Sequence, residues 1–438
     1  MWAEESVFYQ IYPLGLCGAP FHNDGKLEHR ILKVIDWIPH MRKLGINAIY
    51  FCPVFESDNH GYNTRDYKKI DVRLGTNEDF KKVCDELHAN GIRVVLDGVF
   101  NHVGRGFTQF RDVLAHREQS WYKDWFNISF EGNSNYNDGL WYEGWEGNYD
   151  LVKLNLRNDA VVDHIFDAVR YWVEYFGIDG LRLDVAYCLD NDFVRRLRSF
   201  TDSLKEDFYL IGEMLHGDYN LKIGPGMLHS CTNYECYKGI HSSFNSMNMF
   251  EICHSLMRQF GSDPWCLYTG RHLLSFADNH DVDRLASVLE DQRDLPLTYA
   301  LMFAMPGIPC IYYGSEWGVK GARTKFTDHQ LRPEFKHPEW NSLTDYIARL
   351  CEMRRSYSVF TDGDYTQVWL QNRQIVFRRR NSKGQLTFGL NIDENDCDGY
   401  FNPEVENGID LLQTKKIQFS QPVKLDGKTA YFWYTDWI

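Results

Sequence analysis

The sequence predicts an α/β fold, a (β/α)8 TIM barrel with a subdomain inserted after the third strand and a C-terminal antiparallel β domain. Three observations predict it. A helix-ending glycine followed by isoleucine and a short apolar run recurs at Gly45-Ile46, Gly91-Ile92 and Gly177-Ile178, and alternating helix and buried strand is the pattern of a parallel sheet covered by helices. Eight such runs can be traced before residue 357, the number that closes a barrel. Four carboxylates, Asp97, Asp184, Glu213 and Asp281, stand at or near the C-terminal ends of these runs, in DGVFNH, GLRLDVA, LIGEM and FADNHD. In a parallel barrel those ends converge on one face, so residues far apart in sequence meet around one substrate.

The elements follow in order. VFYQIYP and INAIYF read as the first two strands. Thr76 can cap the next helix, in which Phe80, Val83, Cys84 and Leu87 fall at i, i+3, i+4 and i+7, and Gly91 can close it before the third strand, RVVLDGVF. Gly177 lies much farther from Gly91 than Gly91 does from Gly45, so an excursion rich in Trp, Tyr, Asn and Gly separates the third and fourth strands. A long excursion on the strand-end side is usually functional, and we read residues 103–157 as an inserted subdomain beside the site. An amphipathic helix led by Val161, Ile165, Val169 and Trp172 then precedes the fourth strand, IDGLRLDV. FYLIGEM, a weak strand near CTNYE, LLSFADN and CIYYGSE complete the eight. From Tyr357 onward short alternating segments such as TQVWLQ, QIVFRRR and QLTFGLN are split by turn pairs including Asn381-Ser382 and Lys383-Gly384. The expected division is a barrel over residues 1–102 and 158–356, the insertion over 103–157, and a C-terminal β-sandwich over 357–438.

Composition narrows the partner. The formal net charge of -14 over 438 residues argues against nucleic acid or an anionic membrane, which are bound mainly through Lys and Arg. Aromatic residues make up 15% of the chain, with 13 Trp and 26 Tyr; ring faces with a polar edge suit sugars, although core packing accounts for most of them. The 11 cysteines are scattered, odd in number and without a CxxC pair, which indicates free thiols in a reducing compartment. MWAEESVFYQIYP lacks the basic and apolar regions of a secretory signal, and no run of about 18 apolar residues follows. The expected location is the cytoplasm, although a chain already trimmed of its signal would read the same.

The chemistry starts from GLRLDVA. Arg182 and Asp184 are two apart on a strand and share a face, while Leu181, Leu183 and Val185 turn the other way. Arginine would hold the carboxylate ionised and oriented; a buried ion pair inside the barrel is the alternative. Glu213 stands at the corresponding level of the next strand, with Gly212 leaving room beside it. Adjacent strands lie about 4.8 Å apart, which brings two such carboxyls near the roughly 5–5.5 Å of a retaining glycosidase pair rather than the wider gap of an inverting one. Asp184 is then the nucleophile and Glu213 the acid and later the base, with Ile211 and Met214 raising its pKa. Two histidines, His280 in FADNHD and His102 in DGVFNH, could donate hydrogen bonds to a sugar hydroxyl. Metal ligation is a further option for these residue types, but no HExxH or close His pair supports zinc. Tyr62, in HGYNTRDY, could stack on the ring or simply pack.

QIYP, GYNTRDY, DGVFNH, GLRLDVA, GEM, FADNHD and MPGIPCIYYGSE occur in that order, and in them the chain resembles the α-amylase family, glycoside hydrolase family 13, over essentially its whole length. The resemblance implies the barrel, the subdomain after the third strand and the C-terminal β domain. It assigns Asp184 as nucleophile, Glu213 as acid/base and Asp281 as transition-state stabiliser. Arg182, His102, His280 and Tyr62 would line the subsite of the sugar to be cleaved, and Asp97 would support Arg182. LVKLN at residues 151–155, and His216 after GEM, are similar to the neopullulanase, cyclomaltodextrinase and maltogenic amylase group. Those enzymes usually carry an extra N-terminal β domain that makes a dimer, whereas this sequence starts within a few residues of the first barrel strand. They also tend to have Asn-Glu after DVA, where Tyr187 and Cys188 stand here, a change on the leaving-group side. Asn101 matches a residue that binds structural calcium in many relatives, but the familiar histidine after the nucleophile motif is absent, and a hydrogen-bonded loop residue is the other reading. The chemistry itself requires no metal cofactor.

The expected activity is retaining hydrolysis of α-1,4-glucosidic bonds in α-glucan oligosaccharides: maltooligosaccharides, cyclodextrins or starch fragments. A glucanotransferase or disaccharide isomerase on the same covalent intermediate is the alternative, and a non-catalytic carbohydrate-binding or transporter-associated scaffold is the reading from a different class. Oligomeric state is left open.

Overall fold

The computed structural model describes residues 1–437. Eight parallel strands form the barrel: β1 (Phe8–Ile11), β2 (Ala48–Phe51), β3 (Arg93–Gly98), β4 (Gly180–Leu183), β5 (Tyr209–Gly212), β6 (Ser230–Cys231), β7 (Leu274–Phe276) and β8 (Ile308–Tyr312). They neighbour one another in the order β6-β5-β4-β3-β2-β1-β8-β7. Among the described residues the backbone closes the ring by a single bridge between Thr232 and Leu274, where Asn233 N–H donates to Leu274 O at 2.8 Å. β6 is the weak strand expected near CTNYE, and the structure gives it two residues.

Register carries the site. Asp97 on β3 lies opposite Arg182 on β4, and Leu183 lies opposite Gly212. Asp184 and Glu213 are therefore each one step past the paired strand ends, on neighbouring strands and at the same height.

Helices pack outside: α1 (Lys33–Leu44), α2 (Asn77–Ala89), α3 (Asp159–Tyr171), α4 (Asn191–Leu204), α5 (Tyr234–Asn245), α6 (Phe250–Phe260), α7 (Asp294–Ala304) and α8 (Ser342–Ser356). α2 forms as read. Thr76 Oγ1 accepts from Asp79 N–H at 3.2 Å, Asp79 Oδ2 accepts from Thr76 N–H at 2.8 Å, and Phe80, Val83, Cys84 and Leu87 are its buried residues. Gly91 takes the left-handed conformation just past the helix end (φ +72°). The expected alternation fails at one place. Between β5 and β6 there is only a 3-10 turn, Tyr219–Leu221, because Gly217, Gly224, Pro225 and Gly226 crowd a short segment with poor helix formers. Two helices, α5 and α6, follow β6 instead.

In the insertion, strands His102–Gly104, Asn148–Lys153 and Gly144–Trp145 form an antiparallel sheet. Its hairpin turns at Glu146-Gly147, both at positive φ (+48° and +82°), the geometry of a tight two-residue turn. Beyond α8 a six-stranded antiparallel sheet (outermost strands Thr366–Leu370 and Lys415–Gln418) and the pair Cys397–Gly399 and Val423–Leu425 enclose a second apolar cluster of Val376, Phe401, Val423, Leu425, Tyr431 and Trp433. All eleven cysteines are free. Among the described residues no helix is long and apolar enough to cross a membrane.

Candidate active site

Arg182 is the centre of the site. Its Nη1 donates to both oxygens of Asp97 at 2.9 Å and to Asp184 Oδ1 at 3.0 Å, while Nη2 pairs with Glu213 Oε1 at 2.5 Å. One guanidinium, itself buried, thus spans three buried carboxylates. Asp184 and Glu213 thus meet the same guanidinium from adjacent strand ends, the close placement that a retaining pair, with carboxyls roughly 5–5.5 Å apart, requires. Asp97 also accepts from Tyr50 Oη at 2.9 Å and Tyr62 Oη at 3.0 Å, so its oxygens are occupied by protein donors. Val185 N–H donates to Glu213 Oε2 at 2.9 Å. Burial raises the pKa of Asp184 and of Glu213, and Arg182 opposes the rise in both. Two buried carboxylates against one cation favour sharing a single proton between them.

Asp281 lies across the site with its own cations. His280 Nε2 is 3.0 Å from Asp281 Oδ2 and Arg332 Nη2 is 3.0 Å from Oδ1. Burial disfavours the charged form of His280, but Asp281 beside it outweighs this and the pKa is pushed up to about 10. Burial likewise works against ionised Asp281, yet His280 and then Arg332 hold it well below the ordinary carboxylate range. Tyr62 Oη also bonds His280 Nε2, and the two rings stack with centroids 5.5 Å apart.

His102 is the opposite case. Burial lowers its pKa to about 3, so the ring is neutral. Asn101 Nδ2 meets Nδ1 at 3.1 Å, which leaves the proton on Nε2. That Nε2 is buried, has no partner and lies 3.7 Å from Asp184 Oδ2, a donor facing the place where a substrate hydroxyl would sit.

These groups open onto a cavity of about 720 Å3, within the range of small-molecule sites. Tyr62, His102, Asp184, Glu213 and Asp281 are in its wall. Arg182, His280 and Asp97 are not: they are buried beneath the carboxylates as a floor. Arg182 and His280, expected to line the subsite, stand behind this wall: Arg182 Nη1 and Nη2 and both ring nitrogens of His280 meet protein partners, while Arg182 Nε has none. His216 is also outside the wall; it is exposed and its ring packs 4.9 Å from Tyr187. Sequence reasoning missed His60, Trp145, Tyr234, the segment 323–328 and Arg332, all of which border the cavity. His60 sits two residues before Tyr62 and was within reach of the same motif. Arg332 comes from the loop after β8 and no local pattern marks it. No group of three or more His, Cys, Asp or Glu side chains placed to hold a metal ion occurs among the described residues.

The model of the alpha-amylase catalytic domain matches residues 10–385. A cyclomaltodextrinase of Bacillus sp is 29% identical over 415 residues, covering 90% of this chain and 74% of that protein. A maltogenic alpha-amylase of Bacillus acidopullulyticus is 30% identical over 428 residues, covering 90% and 70%. The solved structure of the cyclic alpha-maltosyl-(1→6)-maltose hydrolase from Arthrobacter globiformis superposes with a TM-score of 0.83 at 27% identity over 99% of both chains. With the strand-end carboxylates, the barrel and the inserted subdomain all in this arrangement, the chain belongs to the alpha-amylase family.

Proposed function

We propose that this protein is a retaining glycoside hydrolase that cleaves α-1,4-glucosidic bonds in maltooligosaccharides or cyclodextrins. The observation that carries the reading is the pair Asp184 and Glu213, one step past adjacent strand ends, both touching Arg182 and both open to the cavity. In the first step Asp184 attacks the anomeric carbon while Glu213 gives its proton to the departing glycosidic oxygen. In the second, Glu213 takes a proton from water, which displaces Asp184 from the glycosyl ester, so two inversions return the original anomer. Asp281, kept ionised by His280 and Arg332, offers negative charge to the oxocarbenium-like transition state. His102 Nε2–H and Tyr62 orient the sugar, and Asp97 fixes Arg182. The reading includes no metal: the Asn101 side chain is engaged by His102, and we take it as loop support. The eleven free thiols and the intracellular maltogenic amylase of Bacillus subtilis, 30% identical over 425 residues, support a cytoplasmic location.

The test is incubation of wild type and Asp184→Asn with maltoheptaose and with β-cyclodextrin, reading products by chromatography and the first-formed anomer by NMR. The expected result is shorter α-anomeric products from wild type and none from the variant. Formation of the β anomer first, or no product at micromolar enzyme, overturns the reading, and products longer than the substrate replace it with glycosyl transfer.

A further inference from the structure

The acid of a retaining pair protonates the oxygen of the departing sugar, so the side of the cavity beyond Glu213, away from Tyr62 and His102, belongs to the leaving group. There the wall carries Val185 from the end of β4, whose N–H holds Glu213, and Leu215 from just past β5; Trp145 of the insertion, with its ring 5.9 Å from that of His102, also lines the cavity. Glu146, Tyr187 and His216, one or two residues beyond Trp145, Val185 and Leu215, stand outside that wall and are joined to one another. Glu146 is the tip of the inserted hairpin, and its Oε1 accepts from Tyr187 Oη at 3.2 Å. The other face of Tyr187 meets the His216 ring, with centroids 4.9 Å apart. Burial raises the pKa of the Tyr187 hydroxyl, so it remains a donor. Three segments that each border the cavity, through Trp145, Val185 and Leu215, are thus tied to one another. Glu146 and Val185 both hold positive φ (+48° and +40°), so the tip and the strand end are committed to this approach.

We propose that the Glu146–Tyr187 bond, backed by His216, closes the leaving-group end of the cavity and restricts this enzyme to substrates whose departing portion is short or compact. The restriction rests on the hydrolase reading above. A long glucan running out past Leu215 must break the tie before Glu213 can reach its glycosidic oxygen, whereas a small leaving group fits within it.

The measurement is kcat/KM on two probes, maltoheptaose and 4-nitrophenyl α-maltoside, for wild type, Tyr187→Phe, Glu146→Gln and the double variant. Each single variant should raise the ratio of maltoheptaose to aryl maltoside activity by at least about threefold, and the double variant should add little, because both remove one interaction. Tyr187→Phe retains the ring against His216, so loss of the hydroxyl is read apart from loss of packing. Active wild type with an unchanged ratio in both variants, or parallel losses on both probes, overturns the proposal and leaves the hydrolase reading standing. Wild type inactive on both probes removes the hydrolase reading and the proposal with it.

Discussion

Val185 donates its backbone N–H to Glu213 Oε2 at 2.9 Å from a left-handed conformation, φ +40° and ψ +49°. A β-branched residue there costs on the order of 1–3 kcal/mol, and such strain persists only where the surroundings impose it. The turn it makes directly after Asp184 aims one donor at the neighbouring carboxyl, while Arg182 takes that carboxyl's other oxygen. Glu213 is thereby held by both oxygens before any substrate arrives.

If Glu213 supplies the proton to the leaving oxygen, Glu213→Gln removes that proton but leaves an acceptor for Val185. Maltoheptaose, whose alcohol leaving group needs protonation, should lose about 10²–10⁴-fold in kcat. A 2,4-dinitrophenyl maltoside, whose leaving group departs unprotonated, should form the glycosyl-enzyme with a much smaller loss. Steady-state and burst kinetics on both substrates decide it; equal losses in the bond-breaking step would remove Glu213 from the acid role.

His102 makes stability depend on pH in a definite direction. Its folded pKa of about 3 lies below the ordinary 6.5, so between those values the unfolded chain binds a proton that the folded chain refuses. Stability from this group is intact above pH 6.5 and is lost as pH falls through the window, by at most about 1.4 kcal/mol per pH unit. Urea unfolding of wild type and His102→Gln at pH 7, 6 and 5 should show a shallower acid loss in the variant. Identical slopes would mean the ring is protonated in the folded state.

Arg332→Leu takes one of two cations from Asp281. The pKa of Asp281, held down by His280 and Arg332, should rise. A shift of roughly one unit is the expected scale for a nearby opposite charge. Carboxyl 13C NMR titration of aspartate-labelled wild type and variant measures it, and an Asp281 titration that stays in place would show that its ionisation does not depend on this arginine.

The contrast between Asp281 and Arg332 shows what could be read from the chain. α2 was legible to its caps because Thr76, the four apolar positions and Gly91 encode it locally. The carboxylates were legible because a parallel barrel delivers strand ends to one face whatever the loops do. Arg182 was placed correctly beside Asp184, but its burial beneath the wall depends on Asp97 arriving from β3, a matter of register between distant strands. Arg332 belongs to an irregular loop whose path is set by packing on β1 and β8, so nothing near it in sequence announces its partner. The missing helix between β5 and β6 was visible in Gly217, Gly224, Pro225 and Gly226, but an expected eightfold alternation overrode that local signal.

The one-bridge closure at Thr232 and Leu274 divides the catalytic groups unequally. Asp184 and Glu213 stand on strands joined by continuous ladders, and Asp281 stands beyond the seam. Going the short way round the ring, one backbone bridge and a few side-chain bonds fix how far the pair lies from Asp281; going the long way, six strands do. The barrel therefore behaves less like a rigid tube than like a cuff fastened beside its working face, and the bond from Asn279 Nδ2, two residues before Asp281, to Tyr234 Oη beyond β6, 2.9 Å, is the clasp that joins the two edges at the level of the catalytic groups.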